Sequence, residues 1–325
     1  MFNLKKVVSA MVLSSALLQS SVSLAVSVGP QHVLSQQAGG YRIQVGDAQV
    51  TSFTDGTVPQ DLYTLFTQTT RQHIDGLLAK NYQSNPVEVS INAFLIELPG
   101  HKILVDTGAG QLFGPGLGGR LVESLATRGI RPEDITEVLL THAHSDHEGG
   151  LVKDGQRVFT NATVYVGKPD IDFFFNNENQ QKTGYDQQHF DFAQRALGPY
   201  LKAGKIKTFS ATETLLPNIT GTVHPGHTPG SAFFTLNSAG EKIVFVGDII
   251  HVAAVQFPDP SITITYDEDR PQAAKVRKNA FREFARQGEM IAAPHLAWPG
   301  IGHIADNGHG GYNWIPVNYT NRTAQ

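Results

Sequence analysis

The sequence predicts an α/β fold in which two β-sheets pack face to face between helices. Three observations carry that prediction. Strand-like segments come in two runs, one up to residue 167 and one from residue 207. Each run is accompanied by amphipathic helices, and no Pro/Ser-rich linker or shift of composition divides the chain between them.

The elements follow in order. Residues 26–40, rich in Ser, Gln and Gly, read as a lead-in. YRIQVGDAQVTSF (41–53) and VEVSINAFLIELP (87–99) alternate as half-buried strands do, and KILVDTG (102–108) is a short buried strand ending in a Gly turn. LGGRLVESLATRG (117–129) reads as a helix stopped by Gly129, and EVLLT (137–141) and TVYVG (163–167) read as strands. Residues 186–202 form a helix with Phe190, Phe192, Ala193, Leu197 and Leu201 at near-helical spacing. The second run comprises 207–209, 220–224, 231–237, 242–248 and 261–267. Its helix, 271–288, opens on Pro271, carries the stripe Val276, Ala280, Phe281 and Phe284, and closes on Gly288. That stripe is core packing.

Residues 1–25 read as a signal peptide: Lys5 and Lys6, then an apolar stretch interrupted by serines, then Ser23-Leu24-Ala25 at the cleavage position. The expectation is an exported protein, periplasmic or secreted, with 26–325 as a single catalytic domain. Removing the two lysines takes the formal charge from −4 to −6, which argues against nucleic-acid partners, since phosphate binding needs clustered Lys and Arg. With no cysteine in the chain, disulfides are excluded, and any metal must be held by His and carboxylate. No membrane association is expected once the signal is removed. A homodimer is allowed.

Chemistry concentrates in THAHSDH (141–147), PGHTPGS (225–231) and the pair Asp248 and His303. Side chains two apart in an extended chain share a face, so His142, His144 and Asp146 point one way as the chain leaves EVLLT. His147 joins them only if the backbone turns, for which Gly149-Gly150 would supply the freedom. His227 lies in a Gly-His-Thr-Pro-Gly loop. Asp248 ends the apolar strand IVFVGD, where a buried carboxylate needs a partner. Seven N and O ligands, one of them bridging, suit two adjacent zinc ions that leave a position open for solvent. A noncatalytic metal-binding module is the alternative, and the open position argues against it.

THAHSDHEGG, GHTPGS, the acid of FVGD and the Gly-His of GIGH, preceded by ILVDTG at 103–108, resemble in order the motif series of the metallo-β-lactamase superfamily. The resemblance implies that superfamily's αββα four-layer sandwich. It places His142, His144 and His227 on one Zn2+, and Asp146, His147 and His303 on a second, with Asp248 bridging. Asp106 would orient a ligand histidine or cap its turn. Manganese, iron or cobalt could replace zinc in such a donor set.

Segments 246–267 and 294–304 are most similar to the methyl parathion hydrolase-like, lactonase-like branch. That similarity implies hydrolysis of lactones and aryl esters by a hydroxide bridging the metals, with organophosphate triesters as a lesser class. Asp146 and Asp248 are the expected catalytic carboxylates, Asp146 moving a proton. Thioester or β-lactam hydrolysis is the alternative chemistry; the commonest lactamases use a cysteine that this chain lacks. Phe113, the run Phe173–Phe175 centred on Phe174, and His251 are candidates for the pocket wall. His224 and His295 read as structural.

Overall fold

The computed structural model describes residues 39–320. The expected signal peptide and most of the 26–40 lead-in lie outside the described residues. Among those described, no helix is long and apolar enough to cross a membrane.

Among the described residues, fourteen strands form two large sheets, and each sheet is laid down in chain order. The first holds β1 (Gly40–Val45), β2 (Ala48–Gln60), β3 (Val87–Leu98), β4 (His101–Val105), β5 (Glu137–Leu140), β6 (Thr163–Gly167) and β7 (Ile206–Phe209). The second holds β8 (Glu213–Leu216), β9 (Ile219–Val223), β10 (Ala232–Ser238), β11 (Glu241–Phe245), β12 (Met290–Ala292), β13 (Ile301–Asp306) and β14 (Tyr312–Pro316). Pairing is antiparallel through β4 and parallel from β4 to β7. In the second sheet only β11 and β12 run parallel.

The burial pattern explains the layering. β3 alternates at its start and is then buried on both faces from Ile91 to Ile96, as a strand must be when covered on both sides. One face joins a core shared by the two sheets, where Phe94 meets Phe245 at 5.5 Å and Phe209 meets Phe234 at 5.8 Å between ring centroids. Each such buried ring contributes roughly 1.5–3 kcal/mol. The opposite face of the first sheet packs on the helices Leu121–Ala126, Lys168–Phe174 and Gln187–Lys202, and the outer face of the second on Arg270–Gln287. The result is the four-layer αββα sandwich.

Several local expectations change. The segment 41–53 is a hairpin, because Gly46 takes φ 55° between β1 and β2. The helix expected over 117–129 begins only at Leu121, since Gly118 and Gly119 adopt positive φ. Of 261–267 only Thr263–Ile264 pairs, with Phe66–Thr67. In Gln187–Lys202 the buried stripe is Phe190, Ala193, Ala196, Leu197 and Tyr200; Phe192 faces a cavity and Leu201 is exposed. The helix Arg270–Gln287 starts and stops as expected, with Asp269 capping and Gly288 left-handed. It also buries Arg277 completely.

Candidate metal centre and active site

The site lies where strands end. β4 delivers Asp106, β5 delivers 141–148, β11 delivers Asp248 and β12 delivers His295, while the β9–β10 connection delivers His227. After Leu140 the chain bends through Thr141–Ala143, is extended at His144 (φ −113°, ψ 156°), and then makes one helical turn at Ser145–Glu148. The segment before the turn sends His142 and His144 into one cluster and the turn sends Asp146 and His147 into another. Asp146 therefore reaches the site through a helical turn, and strand alternation does not place it. Gly149 and Gly150 are needed for close approach: a Cβ there would lie 2.2 Å from the Ala109 carbonyl oxygen and 2.0 Å from that of Thr107.

Three overlapping groups of donors result: His142/His144/His227, Asp146/His147/Asp248/His295, and His227/Asp248/His251 between them. Six of the seven expected ligands converge. His303 does not: β13 runs back antiparallel to β12, so His303 pairs with Met290, away from the rim, and its Nδ1 faces the carbonyls of Gly288 and Glu289 at 3.1 and 3.2 Å. His295, expected to be structural, takes that place, with Nε2 3.1 Å from Asp248 Oδ2 and 3.3 Å from Asp146 Oδ2. His224 stays outside the centre, its ring tilted on Phe233.

The donor set fits divalent ions. His144 Nδ1 lies 3.1 Å from His142 Nε2 and 3.0 Å from His227 Nε2. Asp248 approaches His147 Nε2 at 3.2 Å, His227 Nε2 at 3.4 Å and His142 Nε2 at 3.7 Å. Ligands about 2.0–2.1 Å from a tetrahedral zinc stand about 3.3 Å apart. His147 Nε2 and Asp248 Oδ1 are buried with no hydrogen-bond partner, an arrangement that costs free energy unless a cation lies between them.

The far nitrogen of each ring is tied down, which sets its tautomer. His147 Nδ1–H donates to Asp106 Oδ2 at 2.9 Å, His227 Nδ1–H to Asp267 Oδ1 at 2.8 Å, and His295 Nδ1–H to the Ser90 carbonyl at 2.9 Å. Thr141 Oγ1 donates to Asp106 at 2.9 Å and so accepts from His142 Nδ1–H at 3.1 Å. Asp106 thus orients a ligand and also takes the Thr141 amide at 2.8 Å, from a left-handed backbone (φ 59°). Asp170 clips both ligand loops together, accepting from Ala143 N, Thr228 Oγ1 and Gly230 N at 2.9, 2.9 and 2.6 Å. Burial pushes its carboxyl up to about 6 against the pull of those donors.

The field demands positive charge. Burial opposes protonation of every ring, yet the Asp248 and Asp267 carboxylates raise His227 to about 9, and Asp248 with Asp146 raises His295 to about 10. His147 is also held well above its ordinary value, chiefly by Asp248 and Asp146 against burial. Burial would raise Asp146, but the facing His147 and His295 bring it down to about 2. Asp248 falls well below the carboxylate range for the same reason. Burial and neighbouring rings hold His142 and His144 well below theirs.

A cavity of about 260 Å³ opens onto the second cluster. Phe113 and His251 line it, as expected, together with Leu62, Phe66, Val252 and Ile264. Phe174 does not; it is wholly buried against Phe173 and Phe190. Asp267, Asp170, Tyr185 and Arg277 escaped the reading of the sequence. Asp267 carried a usable signal, since it ends the apolar run SITITYD as Asp248 ends IVFVGD.

This fold, with an all-histidine cluster and a carboxylate-histidine cluster beside a largely apolar cavity, defines a metal-dependent hydrolase. The profile of the metallo-beta-lactamase superfamily matches residues 86–295, and the chain belongs to that superfamily. The structure of the hydrolase AbOPH of the beta lactamase superfamily superposes with a TM-score of 0.83 at 37% identity, covering 88% of this chain and 100% of that one. AidC, a dizinc quorum-quenching lactonase in complex with the product N-hexanoyl-L-homoserine, superposes at 0.81 with 29% identity over 88% and 100%. Metallo-beta-lactamase domain-containing protein 1 of Xenopus laevis is 34% identical over 147 residues, 45% of this chain and 52% of that protein. A ribonuclease of Thermus thermophilus is 28% identical over 190 residues, 54% of this chain and 38% of that protein. The chain spans about half or less of the curated relatives it matches.

Proposed function

We propose that this hydrolase uses two zinc ions to open lactones and cleave aryl esters, with organophosphate triesters as a lesser substrate class. The observation that carries the reading is the cavity, whose apolar wall ends directly on Asp146, Asp248 and His295. Its volume of about 260 Å³ suits a small ester with an apolar substituent. Similarity to a dizinc lactonase holding an acyl-homoserine product supports the same substrate class.

His142, His144 and His227 would hold one ion and Asp146, His147 and His295 the other, with Asp248 shared. Bound there, the ions acidify the attacking water and polarise the carbonyl or phosphoryl oxygen. The chain's own groups do the rest. Leu62, Phe66, Val252 and Ile264 seat the apolar part of the substrate and exclude water. Asp146, partly exposed at the cavity floor, takes the proton of the attacking water on the carboxylate oxygen turned away from the donor rings and passes it to the leaving oxygen. An Asp146→Asn enzyme that keeps full activity and two bound ions would refute that role. Export, with residues 1–25 removed and 26–325 acting as one domain, belongs to the same proposal.

The test is kcat/KM of the zinc-replete enzyme on a lactone, an aryl ester, a phosphotriester, a thioester and a β-lactam. Lactone and aryl ester should lead, with the phosphotriester below them. A thioester or β-lactam in first place would overturn the assignment.

A further inference from the structure

Of the five rings in the three-histidine and carboxylate clusters, four present Nε2 and His144 alone presents Nδ1. We propose that Tyr185 is the positioning residue that holds this inverted ring, and so sets the metal affinity of the three-histidine cluster selectively. The inference rests on the metal-binding reading of that cluster and not on the substrate.

The hydroxyl of Tyr185 has only one arrangement open to it. It lies 2.7 Å from the Tyr266 carbonyl oxygen and 2.8 Å from His144 Nε2. A carbonyl only accepts, so the phenolic proton is committed to Tyr266, and the hydroxyl must accept from His144 Nε2–H. An imidazole protonated on Nε2 keeps its lone pair on Nδ1, the atom that faces His142 and His227. The phenol ring is stacked on His189, with centroids 4.7 Å apart and planes 21° apart, so the hydroxyl cannot swing off without breaking that contact.

The next residue extends the device. Asp267, adjacent to the carbonyl that fixes Tyr185, accepts from His227 Nδ1–H. Its other oxygen takes the Ile264 amide at 3.0 Å, and buried Arg277 donates to the Ile262 carbonyl at 2.8 Å. Two successive residues, 266 and 267, therefore orient two of the three rings, one directly and one through Tyr185. The second cluster draws on neither; its rings rely on Asp106 and the Ser90 carbonyl.

The test is competition of the full chain against a chromogenic chelator for Zn2+, giving two stepwise dissociation constants, for the wild type and Tyr185→Phe. Asp146→Asn, which weakens the other ion, assigns each constant to its cluster. Tyr185→Phe should weaken the three-histidine constant about 10–100-fold, the usual cost of a lost orienting partner, and leave the other within about threefold. Two unchanged constants would overturn the proposal. So would two constants that fall together, since general loosening of the fold weakens both; this criterion holds even if the metal-free variant melts early. A wild type that binds fewer than two ions would instead remove the metal reading itself, and the inference with it.

Discussion

The two donor clusters are built on opposite electrostatic plans. The first, His142, His144 and His227, is all imidazole, and the nearest carboxylate it does not share with its neighbour, Asp267, sits behind a ring. The second, Asp146, His147, Asp248 and His295, puts two carboxylates among its donors and has Asp106 behind His147. Of the all-nitrogen cluster only His144 reaches the cavity, held by Tyr185, whereas the carboxylate cluster presents Asp146, Asp248 and His295 there. The difference teaches that carboxylate charge and most of the cavity contact are concentrated on one side, while ring orientation is fixed on both. Asp248 joins the two.

Substitutions can separate the clusters. Asp248→Ala should have the largest effect, removing the shared carboxylate, releasing both ions and lowering kcat/KM by about 10³-fold or more, read by metal analysis together with turnover. His295→Ala should cost one ion and roughly 10²-fold in kcat/KM, whereas His303→Ala should stay within about threefold; the reverse ranking would restore His303 to the site. Asp267→Asn should weaken only the three-histidine cluster, by about 10–100-fold in affinity, in the same chelator competition. Asp170→Ala leaves the buried amides of Ala143 and Gly230 without an acceptor and should lower stability by roughly 3 kcal/mol, measured by denaturant unfolding of the zinc-loaded protein.

The last comparison is between metal-free and zinc-loaded protein across pH. His227 at about 9 and His295 at about 10 bind protons more tightly when folded than at the unfolded value near 6.5. That stabilisation is complete below about pH 6.5 and is lost as pH rises through 9–10. Metal-free protein should therefore melt progressively lower from pH 7 to 10. Zinc-loaded protein, whose ring lone pairs are engaged, should lack that slope, and equal slopes would contradict the charge assignment.

The loop 142–147, which feeds both clusters, was legible because ligand density is itself a signal: three His and one Asp fall within six residues directly after a buried strand. Asp248 was legible because a carboxylate ending an apolar strand needs a partner. His295 follows the apolar strand MIAA in the same way, yet Gly-His at 302–303 was preferred over that placement. The antiparallel return of β13, which a linear sequence does not display, decides between them. Tyr185 and Asp170 act singly across long sequence separations, so no local pattern marks them. The layered fold was visible in the two strand runs. The hairpin at Gly46 and the shortened helix at Leu121 were not, because both depend on glycine backbone angles.

The most direct measurement strips the enzyme with chelator and titrates Zn2+ back while following a chromogenic aryl ester. Activity should vanish on stripping and return to a plateau at two equivalents per chain. Full turnover by the stripped protein, or a plateau reached at one equivalent, would contradict a centre that works through two ions held by these side chains.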